Sequence, residues 1–269
     1  MTTVADILKY IETLAPTYMK MDWDNVGLLC GSRETSVTKV LVALDPFEGV
    51  CREAAEWGAE LIVTHHPIIF DPLKSVTEET TVGRSIMTLC RHGISAVNAH
   101  TNLDCARGGV NDVLADTLGL KDVETIPPFF RDDQGRQWGL LRRGRVEEQS
   151  LSQFLETVRS SLNAEGLRYV DGGKPVRLVA VGGGSCSDEL MSAFEAGCDT
   201  FVTADIKYND FWDAQALGMN LIDAGHFATE NPVVAVLAEK IAAAFPEVQV
   251  KISETHRDCM KFRSRQLHE

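Results

Sequence analysis

Residues 58–67 of the chain are Gly58-Ala59-Glu60-Leu61-Ile62-Val63-Thr64-His65-His66-Pro67. The apolar run predicts a buried strand, and the two histidines stand where that strand ends. Gly58 is typical of the end of a helix, so the segment completes a strand–helix–strand unit that begins at Leu41-Val42-Ala43. Side chains at the carboxyl ends of parallel strands face one crevice, where open α/β sheets place their chemistry.

The same design occurs a second time. Leu178-Val179-Ala180 leads through a helical segment to the run from Gly197 to Asp205, and the run Gly93–His100 resembles Gly218–His226. We therefore predict two similar α/β domains related by an internal repeat, in which Ala204-Asp205 replaces His65-His66. The alternative is that any two strand–helix–strand units look alike.

Candidate metal ligands lie in three short segments, each directly after an apolar run. These segments are Thr64-His65-His66-Pro67, His100-Thr101-Asn102-Leu103-Asp104 and the run Asp223–Glu230, which includes His226. Imidazole and carboxylate groups without cysteine are a ligand set for a hydrolytic transition-metal site. The alternative for any one histidine is an ordinary core or surface residue, and for Asp104 the N-cap of the helical segment toward Leu118.

The predicted domain borders follow from this cluster. Ile126-Pro127-Pro128 and the polar stretch 131–136 mark the connection between the halves. His226 and Glu230 must return to the first half to meet His65. We therefore expect a first, discontinuous domain of residues 1–125 together with 222–269, and a second domain of residues 126–221.

Two helices are predicted at the ends of the chain. Apolar residues recur with helical spacing from Val4 to Leu14 and from Val233 to Phe245. Pro232 suits the first turn of the second helix, with Asn231 as its N-cap. This interpretation places His226 and Glu230 on the loop that enters the helix.

Composition narrows the class of protein. The chain has 269 residues, of which 44% are hydrophobic and 24% charged, as is ordinary for a globular protein. A net charge of −13 argues against binding a nucleic-acid backbone, whereas a small anionic substrate stays compatible because bound cations reverse the local charge. No apolar run is long enough to cross a bilayer and the first residues do not resemble a signal peptide, so we expect a cytoplasmic protein. The seven cysteines include no C-x-x-C pair. One of them, Cys105, adjoins the candidate ligand Asp104.

The combination of motifs resembles the Nif-three-like dinuclear-metal proteins, which are named GTP cyclohydrolase 1 type 2 homologues. The matching motifs run in family order along the chain: Trp23-Asp24-Asn25-Val26-Gly27-Leu28, Thr64-His65-His66-Pro67, His100-Thr101-Asn102-Leu103-Asp104, Ala204-Asp205-Ile206-Lys207-Tyr208 and Asp223–Glu230. The resemblance departs at Asn209, where the family usually has histidine. It implies homohexamers and two divalent transition-metal ions per chain, with zinc, manganese, iron, nickel and cobalt all suited. The ligands that it implies are His65, His66, Asp104, His226 and Glu230.

The function that the resemblance implies is a dinuclear metal-dependent hydrolase, with His100 or Glu230 moving a proton. A GTP-cyclohydrolase-like reaction on a purine nucleotide is one candidate, and phosphoester or amide hydrolysis suits the same ligands. The alternative is a non-catalytic metal-binding or regulatory assembly that interacts with protein partners.

Overall fold

The structure is a computed structural model that describes residues 1–263 except residues 129, 132–134 and 136. Asp132, Asp133, Gln134 and Arg136 of the predicted connection therefore lie outside the described residues. The strands are β1 (Gly27–Cys30), β2 (Lys39–Ala43), β3 (Leu61–Thr64), β4 (Ser95–Asn98), β5 (Lys121–Thr125), β6 (Phe130–Arg131), β7 (Gln137–Trp138), β8 (Arg142–Gln149), β9 (Arg168–Val170), β10 (Val176–Val181), β11 (Thr200–Thr203), β12 (Asn220–Asp223) and β13 (Gln249–Ile252). The helices are α1 (Val4–Leu14), α2 (Glu48–Trp57), α3 (Thr81–His92), α4 (Thr101–Cys105), α5 (Val110–Thr117), α6 (Leu151–Ser161), α7 (Leu190–Glu195), α8 (Tyr208–Leu217), α9 (His226–Glu230) and α10 (Pro232–Ala244), and short 3₁₀ turns lie at Thr17–Met19 and Ser187–Glu189.

Contacts between residues divide the described chain into two compact units, both discontinuous in sequence. Unit 1 comprises Met1–Val113, Pro128–Leu140 and Glu230–His256. Unit 2 comprises Leu114–Pro127, Leu141–Thr229 and the residues from Arg257. These borders differ from the ranges expected from the sequence, 1–125 with 222–269 and 126–221, because β5 and β12 pair with strands of the unit 2 sheet.

Unit 1 contains a five-stranded sheet in the order β1-β4-β3-β2-β13. Strands β4, β3, β2 and β13 are parallel, whereas β1 is antiparallel to β4. Strands β3 and β4 are buried along their whole length, as is typical of parallel strands covered on both faces. Ala43, Thr64 and Asn98 are partners in register, so the residues that follow β2, β3 and β4 emerge side by side at one edge of the sheet.

Unit 2 contains a six-stranded sheet in the order β5-β8-β10-β11-β12-β9, in which β10, β11 and β12 are parallel. The succession β10-α7-β11-α8-β12 repeats the succession β2-α2-β3-α3-β4 of unit 1. In each unit an antiparallel strand lies beside the last parallel strand, β1 beside β4 and β9 beside β12. The predicted pair of similar α/β domains is therefore confirmed.

Glycine ends the crossover helices where the sequence predicted it. Gly58 follows α2 with a φ of 73° and Gly197 follows α7 with a φ of 81°. A left-handed backbone is available to glycine at little cost, so the chain can turn sharply into the next strand at both positions. The apolar side of α2 then packs on the sheet through Val50, Leu41 and Ile62.

The predicted terminal helices are confirmed, with one correction between them. Helix α1 spans Val4–Leu14 and α10 begins at Pro232 after Asn231, although the Asn231 side chain makes no capping hydrogen bond. The predicted loop at residues 226–230 is wrong, because these residues form the short helix α9. The Thr229 amide closes the turn by donating to the carbonyl oxygen of Gly225 at 3.1 Å, and the Thr229 hydroxyl donates to the same oxygen at 3.0 Å.

Across the described residues, every helix lacks either the length or the apolar character needed to span a lipid bilayer.

A buried carboxylate on α2 fastens the segment after β13 within unit 1. Glu53 accepts hydrogen bonds from the Ser253 hydroxyl at 2.6 Å, from the Glu254 amide at 3.0 Å and from the Thr255 hydroxyl at 2.7 Å. Burial raises the pKa of Glu53, but these hydrogen bonds outweigh burial and lower the pKa from 4.5 to about 2. The native state therefore favours the ionised carboxylate.

We predict that Glu53→Gln lowers the free energy of unfolding at pH 7 by roughly 1–3 kcal/mol, because the buried Ser253 hydroxyl and the donors of Glu254 and Thr255 lose their charged acceptor. A folded-state pKa below the ordinary value means that this contribution is complete above pH 4.5 and is lost as the pH falls through about 2. The difference between the parent and Glu53→Gln should therefore shrink in denaturant unfolding series from pH 7 to pH 3. Glu56→Gln, on the exposed side of the same helix, is the control and should change little. A Glu53→Gln deficit that stays constant over this range would contradict the assignment.

Candidate metal centre

Three histidines meet at the carboxyl edge of the unit 1 sheet. His65 and His66 directly follow β3, and His100 follows β4 by two residues. The ring centroid of His65 lies 4.9 Å from that of His66 and 5.1 Å from that of His100. The parallel register of β3 and β4 thus brings together histidines that follow two different strands.

Two carboxylates complete the cluster. The His65 Nε2 atom lies 3.6 Å from Asp104 Oδ1 and 3.7 Å from Glu230 Oε1, and His66 Nε2 lies 3.0 Å from Glu230 Oε2. Asp104 lies inside α4, so the alternative role as the N-cap of the next helix is not adopted. Donor atoms of His65, Asp104 and Glu230 all lie within 4.8 Å of one another, which is a spacing that could hold a metal ion.

The burial of these groups makes a cation the fitting occupant. The exposed fraction is 1% for His65, 6% for Asp104 and 4% for Glu230. Among the residues that the structure describes, the buried atoms His65 Nε2 and Asp104 Oδ1 have no hydrogen-bond partner. An unsatisfied buried polar atom costs about 1–3 kcal/mol, and a cation between these atoms would remove that cost. The donor set, imidazole and carboxylate, suits a divalent transition metal.

The other ring nitrogen of each histidine is held by an oxygen atom. His65 Nδ1 lies 2.9 Å from the Ala99 carbonyl, His66 Nδ1 2.6 Å from Asp45 Oδ1, and His100 Nδ1 2.8 Å from Asp24 Oδ1. Metal-binding histidines typically donate their second N–H to a carbonyl or carboxylate in this way, because the contact fixes the ring and raises the basicity of the free nitrogen. The arrangement leaves Nε2 of His65 and His66 facing the carboxylates.

The electrostatics of the cluster favour positive charge. Burial lowers the pKa of His65, but the carboxylates of Asp104 and Glu230 outweigh it and raise the pKa above the ordinary value. Burial likewise opposes protonation of His66, yet hydrogen bonds to Asp45 and Glu230 raise the pKa of His66 to about 10. Burial raises the pKa of Asp104 despite the nearby His65. Both histidine pKa values are raised by neighbouring carboxylates, whose negative charge a metal ion would also neutralise.

Asp24 positions the third histidine. It accepts hydrogen bonds from His100 Nδ1 and from the Thr101 amide at 3.0 Å and is 6% exposed. Burial raises the pKa of Asp24, but the hydrogen bonds from His100 and Thr101 outweigh it and lower the pKa to about 2. An ionised Asp24 therefore anchors both the His100 ring and the start of α4.

His226 lies in unit 2, at the first position of α9. Its Nδ1 atom is 2.7 Å from Asp205 Oδ2, so it has a carboxylate partner of the same kind as His66 and His100 in unit 1. Glu230 is the last residue of the same helical turn. Residues four apart on a helix lie on one face, whereas the same spacing in a loop would not indicate which side chains lie together.

Sequence reasoning did not assign the carboxylates that hold the histidines. Asp24 and Asp205 belong to quoted motifs, and Asp45 lies two residues after the end of β2, just as His66 lies two residues after the end of β3. That last signal, a polar residue at the end of an apolar strand segment, could have identified Asp45. Of the two other residues noted in the sequence, Cys105 is buried at the end of α4 and Asn209 is exposed in the first turn of α8.

Comparison with known proteins agrees with this geometry. The profile of the family described as DUF34/NIF3 (NGG1p interacting factor 3) matches residues 2–259. A Clostridium perfringens protein named GTP cyclohydrolase 1 type 2 homolog is 36% identical over 262 residues, which cover 96% of this chain and 98% of the relative. A protein of the same name from Clostridium acetobutylicum is 33% identical over 266 residues, covering 97% of this chain and 98% of the relative.

Solved structures extend the likeness to the whole fold. A Bacillus cereus protein related to NIF3 superposes with a TM-score of 0.90 at 27% identity, covering 98% of this chain and 99% of that chain. A Staphylococcus aureus protein superposes with a TM-score of 0.87 at 28% identity, covering 97% of this chain and 99% of that chain. The resemblance seen in the sequence motifs is confirmed, and the chain belongs to the DUF34/NIF3 family.

Proposed function

We propose that this protein is a dinuclear metal-dependent hydrolase. The observation that carries the proposal is the buried cluster in which His65 Nε2 and Asp104 Oδ1 face each other at 3.6 Å, neither of them hydrogen-bonded within the described part of the chain. We assign the metal ligands as His65, His66, Asp104, His226 and Glu230. This assignment joins the geometry of unit 1 to the ligand set that the family resemblance implies.

We propose two metal ions because the site has more ligand groups than one metal ion requires. A catalytic zinc site typically uses three protein ligands and keeps one position open. Of the assigned ligands, unit 1 contributes two imidazoles and two carboxylates, from His65, His66, Asp104 and Glu230, and the family resemblance implies His226 as a further imidazole. Zinc, manganese, iron, nickel and cobalt all accept such ligands. Divalent ions in a site of this kind supply Lewis acidity and lower the pKa of water to near neutrality.

We assign the proton transfers to His100 and Glu230. Asp24 holds His100 at Nδ1, so its Nε2 atom is the one available to give or take a proton. His100 is half-buried, whereas Glu230 is almost fully buried, so His100 is better placed to exchange a proton with a substrate. Hydrolysis needs such a group because the leaving atom must gain a proton as the bond breaks.

We further propose a purine nucleotide as the substrate class. The name of the Clostridium perfringens relative points to GTP chemistry, and exposed aromatic rings beside His100 support it. Trp23 is 62% exposed and Phe70 is 50% exposed, and their ring centroids lie 6.3 Å and 6.1 Å from that of His100. A purine base can stack on such rings while its reacting atom reaches the histidine cluster.

We also propose assembly as a homohexamer, which rests on the family resemblance alone.

We predict that Asp104→Asn and Glu230→Gln each reduce the metal content of a protein that otherwise holds two ions per chain. Each change keeps the size of the side chain and removes the negative charge that a cation needs. Added metal stabilises the parent by about 4 kcal/mol when its free concentration is roughly 1,000 times Kd, and both variants should gain less. His226→Ala should behave in the same way. Elemental analysis and melting curves with and without metal measure both effects.

Asp116→Asn is the control for these variants, because Asp116 is exposed on α5. It should keep the parent's metal content and the parent's response to added metal. If Asp104→Asn and Glu230→Gln also keep two ions and the full response, these carboxylates are not ligands.

A second prediction concerns His100. His100→Gln should lower kcat on a responsive nucleotide by about 100-fold, since glutamine cannot transfer the proton, and should leave the metal content unchanged. His92→Gln is the control, because His92 is exposed at the end of α3 in the same unit. Steady-state rates on a panel of purine nucleotides, with and without a chelator, provide the measurement.

The outcomes separate the enzyme from the alternative binding function. A parent that holds two ions and turns over none of the purine nucleotides would favour the non-catalytic metal-binding assembly. A His100→Gln variant that loses metal would make His100 a ligand and not a proton carrier.

The exposed rings of Trp23 and Phe70 beside His100 give a third prediction. Trp23→Leu should weaken the binding of guanosine nucleotides about tenfold, because base stacking contributes about 1–3 kcal/mol. The binding of ribose 5-phosphate, which has no base, should stay unchanged in the same calorimetric titrations. Trp212→Leu is the matched control, because Trp212 is 57% exposed and contacts Tyr208 in unit 2. Equal losses for both ligands would exclude a stacking role.

A further inference from the structure

A hydrogen-bonded chain leads from the metal centre to the segment after β13. His66 Nδ1 lies 2.6 Å from Asp45 Oδ1, and the second carboxylate oxygen, Asp45 Oδ2, lies 2.8 Å from His256 Nε2. The exposed fractions of these side chains are 18% for His66, 15% for Asp45 and 9% for His256. All three residues belong to unit 1, although 211 positions separate Asp45 from His256.

The chemistry of the carboxylate fixes the direction of both hydrogen bonds. An ionised carboxylate can only accept, so His66 Nδ1–H and His256 Nε2–H both donate to Asp45. A carboxylate that accepts from two different rings cannot rotate without breaking one of the two bonds. The His66 ring is therefore held in one plane, with its proton on Nδ1 and its Nε2 atom 3.0 Å from Glu230 Oε2.

His256 is itself held in place from two sides. Its amide donates to the Ser253 hydroxyl oxygen at 3.2 Å, and Ser253 in turn donates to Glu53 on α2. The imidazole ring packs edge-on against Phe47 with centroids 6.0 Å apart. The hydrogen bonds between Glu53 and the segment after β13 thus hold the His256 ring in position to donate to Asp45.

We propose that His256 is a positioning residue of the metal centre: acting through Asp45, it sets the orientation of His66 and with it the metal affinity of the site. This inference rests on the metal centre proposed above, but it does not depend on hydrolysis or on the identity of a substrate. Partners that orient a metal-binding histidine typically contribute 10–100-fold to metal affinity.

The test measures cobalt binding by the full chain. Co²⁺ is titrated into metal-free protein against a competing chelator, and the visible absorption of the bound ion reports its ligand geometry. We expect His256→Ala to weaken Co²⁺ binding about tenfold and to alter the visible bands. Asp45→Asn should have an effect at least as large, because it removes the acceptor itself.

Conservative replacement distinguishes positioning from a general loss of structure. His256→Gln keeps an N–H donor at the end of a side chain of similar reach, so it should recover most of the parent's affinity and its spectrum. His92→Ala removes an exposed histidine of the same unit and should match the parent. Melting curves of the metal-free variants show which of them fold. If His256→Ala does not fold, the comparison of His256→Gln with the parent still tests the inference.

Three results would overturn the inference. The first is Co²⁺ affinity and bands of His256→Ala that match the parent. The second is an equal loss in His256→Ala and His256→Gln, which would mean that the shape of histidine and not its N–H donor is what matters. The third is a parent that binds no Co²⁺, which would overturn the proposed metal centre as well. A parent that binds Co²⁺ but hydrolyses nothing would instead reject only the proposed hydrolase activity.

Discussion

The mutual burial of imidazoles and carboxylates at one sheet edge is the interaction on which the rest of this site depends. His65 and Glu230 are almost fully enclosed, so their charges cannot be screened by water. Bringing such carboxylates together is unfavourable unless positive charge lies between them, and hydrogen bonds to Asp45 and Glu230 accordingly raise the pKa of His66 to about 10 despite its burial. A metal ion bound to the same atoms would meet this requirement without protonation of a histidine, which supports the metal centre proposed above.

The surroundings of the cluster serve this requirement. Each histidine has its Nδ1 atom bound by an oxygen, from Ala99, Asp45 or Asp24 in unit 1 and from Asp205 in unit 2. The ring orientations are thus fixed within the fold, so the proposed metal centre would lose little conformational freedom on binding an ion. The parallel strands provide the scaffold, because the residues that leave β2, β3 and β4 in register carry both the proposed ligands and the carboxylates that hold them.

The sequence predicted those parts of the structure that depend on local pattern. Helical spacing located α1 at Val4–Leu14, and apolar runs located the strands that His65 and His100 follow. The short helix α9 was missed because five residues between a glycine and a proline carry too little periodicity to distinguish a turn of helix from a loop. The contact between Asp45 and His256 could not be predicted, since it joins distant segments and depends on how the turn after β13 packs on α2.

The internal repeat shows how one design can carry different chemistry at one position. In unit 1 the residues after the middle strand are His65 and His66, whereas in unit 2 they are Ala204 and Asp205. Asp205 has a φ of 52°, a left-handed conformation that is uncommon outside glycine and that costs roughly 1–3 kcal/mol. The carboxylate of Asp205 lies 2.7 Å from the Nδ1 atom of His226. The strand end that carries the proposed ligands His65 and His66 in unit 1 therefore carries, in unit 2, a carboxylate that orients a histidine.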